Sequence, residues 1–127
     1  MVEHGELKKD WPMVRNGLEV ICARQECDFI PEDIYFLIKS GRAALYVNGE
    51  RDSFTVLRKI THSRTGEEGA EMVVTFCAVG RDSLELIAEI EEIARAAGCA
   101  YLEMDSQRRG FSRAGWSEDR IIYRRSL

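Results

Sequence analysis

The sequence predicts an α/β (α+β) domain: a mixed sheet built around a βαβ unit, with helices on both faces. Three observations carry this. Residues 71–104 read as strand, capped helix and strand; residues 43–60 read as two strands flanking Asn48-Gly49; and two amphipathic helices precede them. The chain has 127 residues, with no internal repeat and no linker, so one domain spanning 1–127 is expected.

The first helix is expected from Asp10 to about Gln25, with Asp10 as N-cap and Pro12 in its first turn. Trp11, Val14, Leu18, Ile21 and Cys22 recur at intervals of three and four, which makes one apolar stripe. Gly17 interrupts it at a cost of ~1 kcal/mol relative to Ala. A second helix opens at Pro31-Glu32-Asp33, acids at the positive end of its dipole, and ends near Gly41. Strand Ala43–Val47 then leads to Asn48-Gly49, the pair favoured in a two-residue hairpin turn, and strand Phe54–Ile60 follows. After a polar loop, Ser63–Gly69, the stretch Glu71–Val79 barely alternates, as expected of a strand covered on both faces.

Helix Ser83–Ala97 is the best-marked element. Asp82 with Glu85 makes an Asp version of the capping box; Leu86, Ile87, Ile90, Ile93, Ala94 and Ala97 form a wide apolar stripe; and Gly98 suits a left-handed C-terminus. Strand Cys99–Met104 follows directly and should lie parallel to Glu71–Val79. A turn at Gly115–Glu118 and a last strand, Arg120–Arg125, are expected to close the chain.

Composition narrows the function classes. An apolar fraction of 45% with 31% charged residues describes a folding chain rather than a disordered one. No apolar run approaches the roughly 18–20 residues of a membrane span, and the N-terminus lacks a signal-peptide pattern, so a soluble, intracellularly made domain without a membrane partner is expected. A net charge of -4 disfavours a general attraction to nucleic acid. Six Arg nevertheless crowd 107–127, and four Glu stand at 85, 89, 91 and 92. These are either solvated faces or, for the Arg cluster, a surface for phosphate or carboxylate groups. Cys22, Cys27, Cys77 and Cys99 have no metal-ligand spacing with His4 or His62, so no metal is expected. Their pattern fits free thiols acting as small hydrophobes in a reducing compartment. Neither a Gly-x-Ser-x-Gly elbow nor a Walker loop occurs.

The stretch Ile93-Ala-Arg-Ala-Ala-Gly-Cys-Ala-Tyr-Leu-Glu-Met, continuing through Gly115-Trp116 to Tyr123, resembles the C-terminal half of the Gcn5-related N-acetyltransferase (GNAT) fold. The element order resembles that fold over nearly the whole chain. Gly98-Cys99, Arg109-Gly110-Phe111 and Gly115-Trp116 are most similar to small GNAT-like proteins of tailed bacteriophages, whose genes often lie beside those of virion components. The resemblance implies a parallel pair splayed around acetyl-coenzyme A, with the pyrophosphate on backbone amides opening the helix. The matching residues are Val79, Gly80, Arg81 and Ser83, but Asp82 places a carboxylate there and glycines are missing from the signature. The family's proton-donating Tyr, a turn before the Gly-aromatic pair, falls on Phe111.

Tyr101 is then the nearby phenol, and Glu71, Glu103 or Asp105 could act as base through water. Tyr101 and Glu103 also fit the polar side of an ordinary half-buried strand. Arg108, Arg109, Arg113, Trp116, Arg120 and Arg124 form a candidate interaction surface, suited to a protein partner and still open to nucleic acid. Two functions are therefore expected in order. The first is a non-catalytic virion, assembly or host-interaction component without cofactor, located in the virion or the host cytoplasm. The second is an N-acetyltransferase carrying acetyl from acetyl-coenzyme A to an amine.

Overall fold

A computed structural model of the chain describes residues 1–24 and 27–104. The elements run β1 (Glu3–His4), α1 (Leu7–Arg24), α2 (Pro31–Lys39), β2 (Ala44–Val47), β3 (Phe54–Thr61), β4 (Glu68–Phe76), α3 (Ser83–Ala96) and β5 (Leu102–Met104). One sheet holds the strands in the order β1-β2-β3-β4-β5, antiparallel except for the parallel pair β4 and β5. The expected βαβ unit is β4-α3-β5, in which Ala70, Glu71 and Met72 stand opposite Leu102, Glu103 and Met104.

Two apolar clusters sandwich the sheet. Val14, Leu18 and Ile34 of α1 and α2 pack with Leu45, Val47, Phe54, Val56 and Val74. Ile87, Ile90 and Ala94 of α3 pack with Leu57, Ala70 and Met72. A bulge in strand β4 decides which of its apolar residues face each cluster. Val56 pairs with Val74 but Leu57 with Met72, so Val73 is an extra residue. In a regular strand Met72 and Val74 would share a face; the extra residue turns them to opposite ones. The weak alternation of this stretch is the sequence trace of that switch.

Gly17 has a packing reason. A Cβ there would meet Phe54 Cε1 at 2.6 Å and the Phe76 ring at 3.0 Å. Those two rings stack with centroids 5.9 Å apart, so α1 rests its backbone directly on them.

Several expected boundaries move. Helix α1 begins at Leu7, and Asp10 lies within its first turn instead of capping it. The Asp10 carboxylate reaches back to the Glu6 N–H at 2.8 Å and is buried, with Arg51 Nη1 at 3.5 Å. Asn48-Gly49 does not form a two-residue turn. Asn48 Oδ1 instead accepts from the N–H groups of Asp52 and Ser53, both at 3.0 Å, and the left-handed residue is Arg51, with φ 54°. An Asn side chain that satisfies two later amides builds a wider loop than the tight turn.

Strand β4 starts at Glu68 and stops at Phe76, three residues earlier at each end than the sequence suggested. Beyond it Ala78 donates its N–H to Ser53 Oγ at 2.9 Å, a side-chain partner in place of a ladder partner. Strand β5 starts at Leu102, because the Cys99 N–H still closes on the Ala94 carbonyl of α3 at 3.0 Å. In α3 itself Asp82 caps as expected and Gly98 has φ 84°, while Ile93 is only half-buried and Ala97 is exposed. The short β1, unmarked in the sequence, extends the sheet beside β2.

The expectation of four free thiols is overturned for two of them. Cys22 and Cys27 form a disulfide with Cα atoms 5.4 Å apart, made possible because α1 ends between them. The expected turn Gly115–Glu118 and strand Arg120–Arg125 lie outside the described residues.

Ile90 is fully buried between α3 and the sheet. Ile90→Ala should therefore cost ~2–5 kcal/mol in urea melts, and a loss below ~1 kcal/mol would contradict this packing. Gly17→Ala should also destabilise, by about 1–3 kcal/mol, because overpacking against the Phe54–Phe76 stack outweighs the gain in helix propensity. A stabilised variant would contradict the close approach.

Candidate functional site

The residues expected to meet a cofactor gather where β4 hands over to α3, beside the β2–β3 hairpin. The Arg81 N–H donates to the Ala78 carbonyl at 3.1 Å, and Gly80 has φ 86°. These mark a type II turn, in which the third residue must take a positive φ. No atom lies within 4 Å of where a Gly80 Cβ would stand. Gly80 is thus explained by backbone conformation, with open space beside it. Val79, next to it, is 96% exposed.

Arg81 faces the hairpin. Its Nε and Nη2 donate to Asp52 Oδ2 at 3.0 and 2.8 Å, and its Nη1 lies 3.8 Å from Glu50 Oε1. The hairpin holds Asp52 ready for this contact: Asn48 Nδ2 donates to Asp52 Oδ1 at 2.7 Å, and Ser53 Oγ lies 3.1 Å from the same oxygen. The hydrogen bond from Arg81, then those from Asn48 and Ser53, hold the Asp52 carboxyl below the usual range, while Asp52 raises the Arg81 guanidinium.

Asp82 completes the arrangement. Its Oδ1 accepts from the N–H of Leu84 at 3.0 Å and of Glu85 at 3.3 Å. Those are the unpaired amides that would otherwise face an anion at the helix start. One guanidinium, already engaged, therefore faces two carboxylates, Glu50 and Asp52, and the next residue in the chain is the capping Asp82. Ser83, half-buried, opens the helix. This donor set does not fit a coenzyme A pyrophosphate, since the amides are taken and the local charge is negative.

Tyr101 and Glu103 lie elsewhere. Tyr101 enters β5, and its ring lies flat over Gly69: a Cβ on Gly69 would fall 2.3–2.6 Å from the ring atoms. The His62 ring meets it edge-on, centroids 6.4 Å apart. Glu103 stands opposite Glu71, which pairs with Arg58 across β3 and β4. From Gly69 to the end of β4 is seven residues, about 20 Å at the rise of a strand. The loop at 79–83 and the phenol at 101 thus sit toward opposite ends of the sheet. Asp105, Phe111, Arg108, Arg109, Arg113, Trp116, Arg120 and Arg124 lie outside the described residues.

The hairpin residues Asn48, Glu50, Asp52 and Ser53 were missed by sequence reasoning. Their signal was present: the polar run Asn48–Ser53 sits between two apolar strands, with acceptors at the spacing that Asx-type loops use. Among the described residues no group of His, Cys, Asp and Glu is placed to hold a metal ion, and no helix is long and apolar enough to cross a membrane.

The architecture is that of the GNAT fold, and solved structures agree. The tetramutant of the BH1408 protein from Bacillus halodurans superposes with a TM-score of 0.75 at 10% identity, covering 100% of this chain and 99% of that one. A ribosomal-protein-alanine N-acetyltransferase from Brucella melitensis biovar Abortus gives 0.71 at 11% identity, covering 100% and 99%. A GNAT family acetyltransferase of Staphylococcus aureus gives 0.68 at 12%, covering 100% and 98%. At these identities the likeness is one of fold. No family model and no curated protein matches the chain in sequence.

The Asp52–Arg81 contact predicts a pH dependence. A carboxyl whose pKa is depressed on folding contributes stability above the ordinary Asp value, near ~4, and loses it as pH falls through the depressed one. Carboxyl NMR should therefore find Asp52 titrating lower in the native chain than in Arg81→Gln. Equal midpoints would contradict the contact.

Proposed function

We propose that this chain is a GNAT-fold protein of the phage type that has given up acetyl-coenzyme A and works by binding protein, as a virion, assembly or host-interaction component. The observation that carries the reading is the Asp82 carboxylate, bound to the Leu84 and Glu85 amides where the pyrophosphate would sit. Arg81 supports it, since the phosphate-binding candidate at this end is committed to Asp52. Tyr101 supports it too: a phenol stacked on Gly69, about 20 Å along the sheet from the loop, suits packing better than proton donation.

The surface around Asp82 fits a protein contact. Val79 is 96% and Leu84 50% exposed, so two apolar side chains flank the charged loop. Such a mixture is common at interfaces. The Arg-rich segment with Arg108, Arg109, Arg113, Trp116, Arg120 and Arg124 adds residue types that interfaces enrich. The phage type rests on the resemblance of Gly98-Cys99, Arg109-Gly110-Phe111 and Gly115-Trp116, and with it comes a location in the virion or the host cytoplasm.

A second reading is favoured by the names of the structural neighbours: two of the three described above are named as acetyltransferases. In that reading the chain transfers acetyl from acetyl-coenzyme A to an amine, with Val79, Gly80, Arg81 and Ser83 against the cofactor.

Calorimetry with acetyl-coenzyme A separates the two. The native chain should bind weakly or undetectably. Asp82→Gly should lower stability by only a few tenths of a kcal/mol, because Gly is itself a fair N-cap, and should improve any residual affinity. Micromolar binding by the native chain, weakened by Asp82→Gly, would instead support the acetyltransferase.

A further inference from the structure

We propose that Cys22 and Cys27 form a reversible dithiol–disulfide couple that sets the local order of residues 27–30, ahead of α2. Cys22 lies in the last turn of α1, and Cys27 lies three residues past its end. Their Cα separation of 5.4 Å falls within the range that a disulfide spans without backbone movement, about 4.4–6.8 Å. Both residues are half-buried, so a small thiol can reach the bond.

The fold does not hang on this bond. Val14, Gly17 and Leu18 seat α1 on the sheet, and Ile34 seats α2. Arg15 Nη1 on α1 donates to Glu32 Oε1 on α2 at 2.7 Å, and Trp11 meets Tyr35 edge-on with centroids 5.0 Å apart. A cross-link closing so short a loop constrains the unfolded chain less than a long one would. What the bond governs is local. Cys27 leads to Phe29, which packs on the main core, and to Ile30, whose N–H is held by Asp33 at 3.1 Å. With the bond closed, Cys27 is tied to the last turn of α1; with it open, that tie is gone.

The chemistry balances with a small-molecule disulfide such as oxidised glutathione. Two S–H bonds in the protein break and one S–S bond forms. The two electrons and two protons released reduce the small disulfide to two thiols.

The test equilibrates the purified chain in glutathione buffers from fully reduced to strongly oxidising, then alkylates free thiols and reads intact mass. The expected result is a graded conversion between four and two alkylated thiols, with the reduced chain keeping its circular dichroism melt. Hydrogen exchange at residues 27–30 should be several-fold faster in the reduced form. In Cys27→Ser that exchange should be fast in both buffers. A pair that stays oxidised at every ratio would make the bond a fixed cross-link and overturn the proposal. Four alkylated thiols throughout, or exchange identical in the two states, would overturn it as well. So would redox-dependent exchange in Cys27→Ser, which would assign the effect to a single thiol, Cys22, Cys77 or Cys99, forming a mixed disulfide with glutathione.

Discussion

One extra residue in β4 governs how this small sheet is covered on both sides. Without the bulge at Val73, Met72 and Val74 would lie on the same face, and Val74 and Phe76 would turn away from the α1–α2 cluster. With it, the first half of β4 serves α3 through Ala70 and Met72, and the second half serves α1 through Val74 and Phe76. Gly17 belongs to the same arrangement. The stack of Phe54 and Phe76 stands high on the second face, and only a residue without a side chain lets α1 settle on it.

The end of β4 in turn determines what the start of α3 can bind. The strand gives out at Phe76, and the chain passes to α3 over a turn pinned on one side by Ser53 and Asp52. In that position Arg81 satisfies a hairpin carboxylate. The helix start is left to Asp82, a residue that stabilises the helix by doing internally what an external anion would do. A GNAT fold is thereby retained with its helix N-terminus closed by the chain's own charge.

Much of the fold was legible because its signals are local and redundant. The α3 helix had Asp82 in front, Gly98 behind and a continuous stripe between, and both caps hold in the structure. The relation of β4 to β5 followed from that helix, since a crossover of this length makes parallel neighbours. Boundaries were less legible where a side chain competes with the backbone ladder. Asn48 takes two amides and widens the hairpin, Asp10 turns back to Glu6 instead of capping forward, and Ser53 draws Ala78 out of the strand.

At the candidate site, the Asp82 conflict could be read from one position. The Asp52–Arg81 pair could not, because it joins residues 29 apart that the β3–β4 register, with Phe54 opposite Phe76, brings together. The Cys22–Cys27 pair escaped for a similar reason: its closure depends on where α1 stops.

The central claim is that the Leu84 and Glu85 amides are committed to Asp82. The most direct measurement is a two-dimensional NMR titration of the isotope-labelled native chain with acetyl-coenzyme A, following those two amide resonances. This account predicts that they hold their positions up to millimolar ligand, still reporting the Asp82 carboxylate. Saturable shifts of both at micromolar ligand would mean that a phosphate displaces Asp82, and would contradict it.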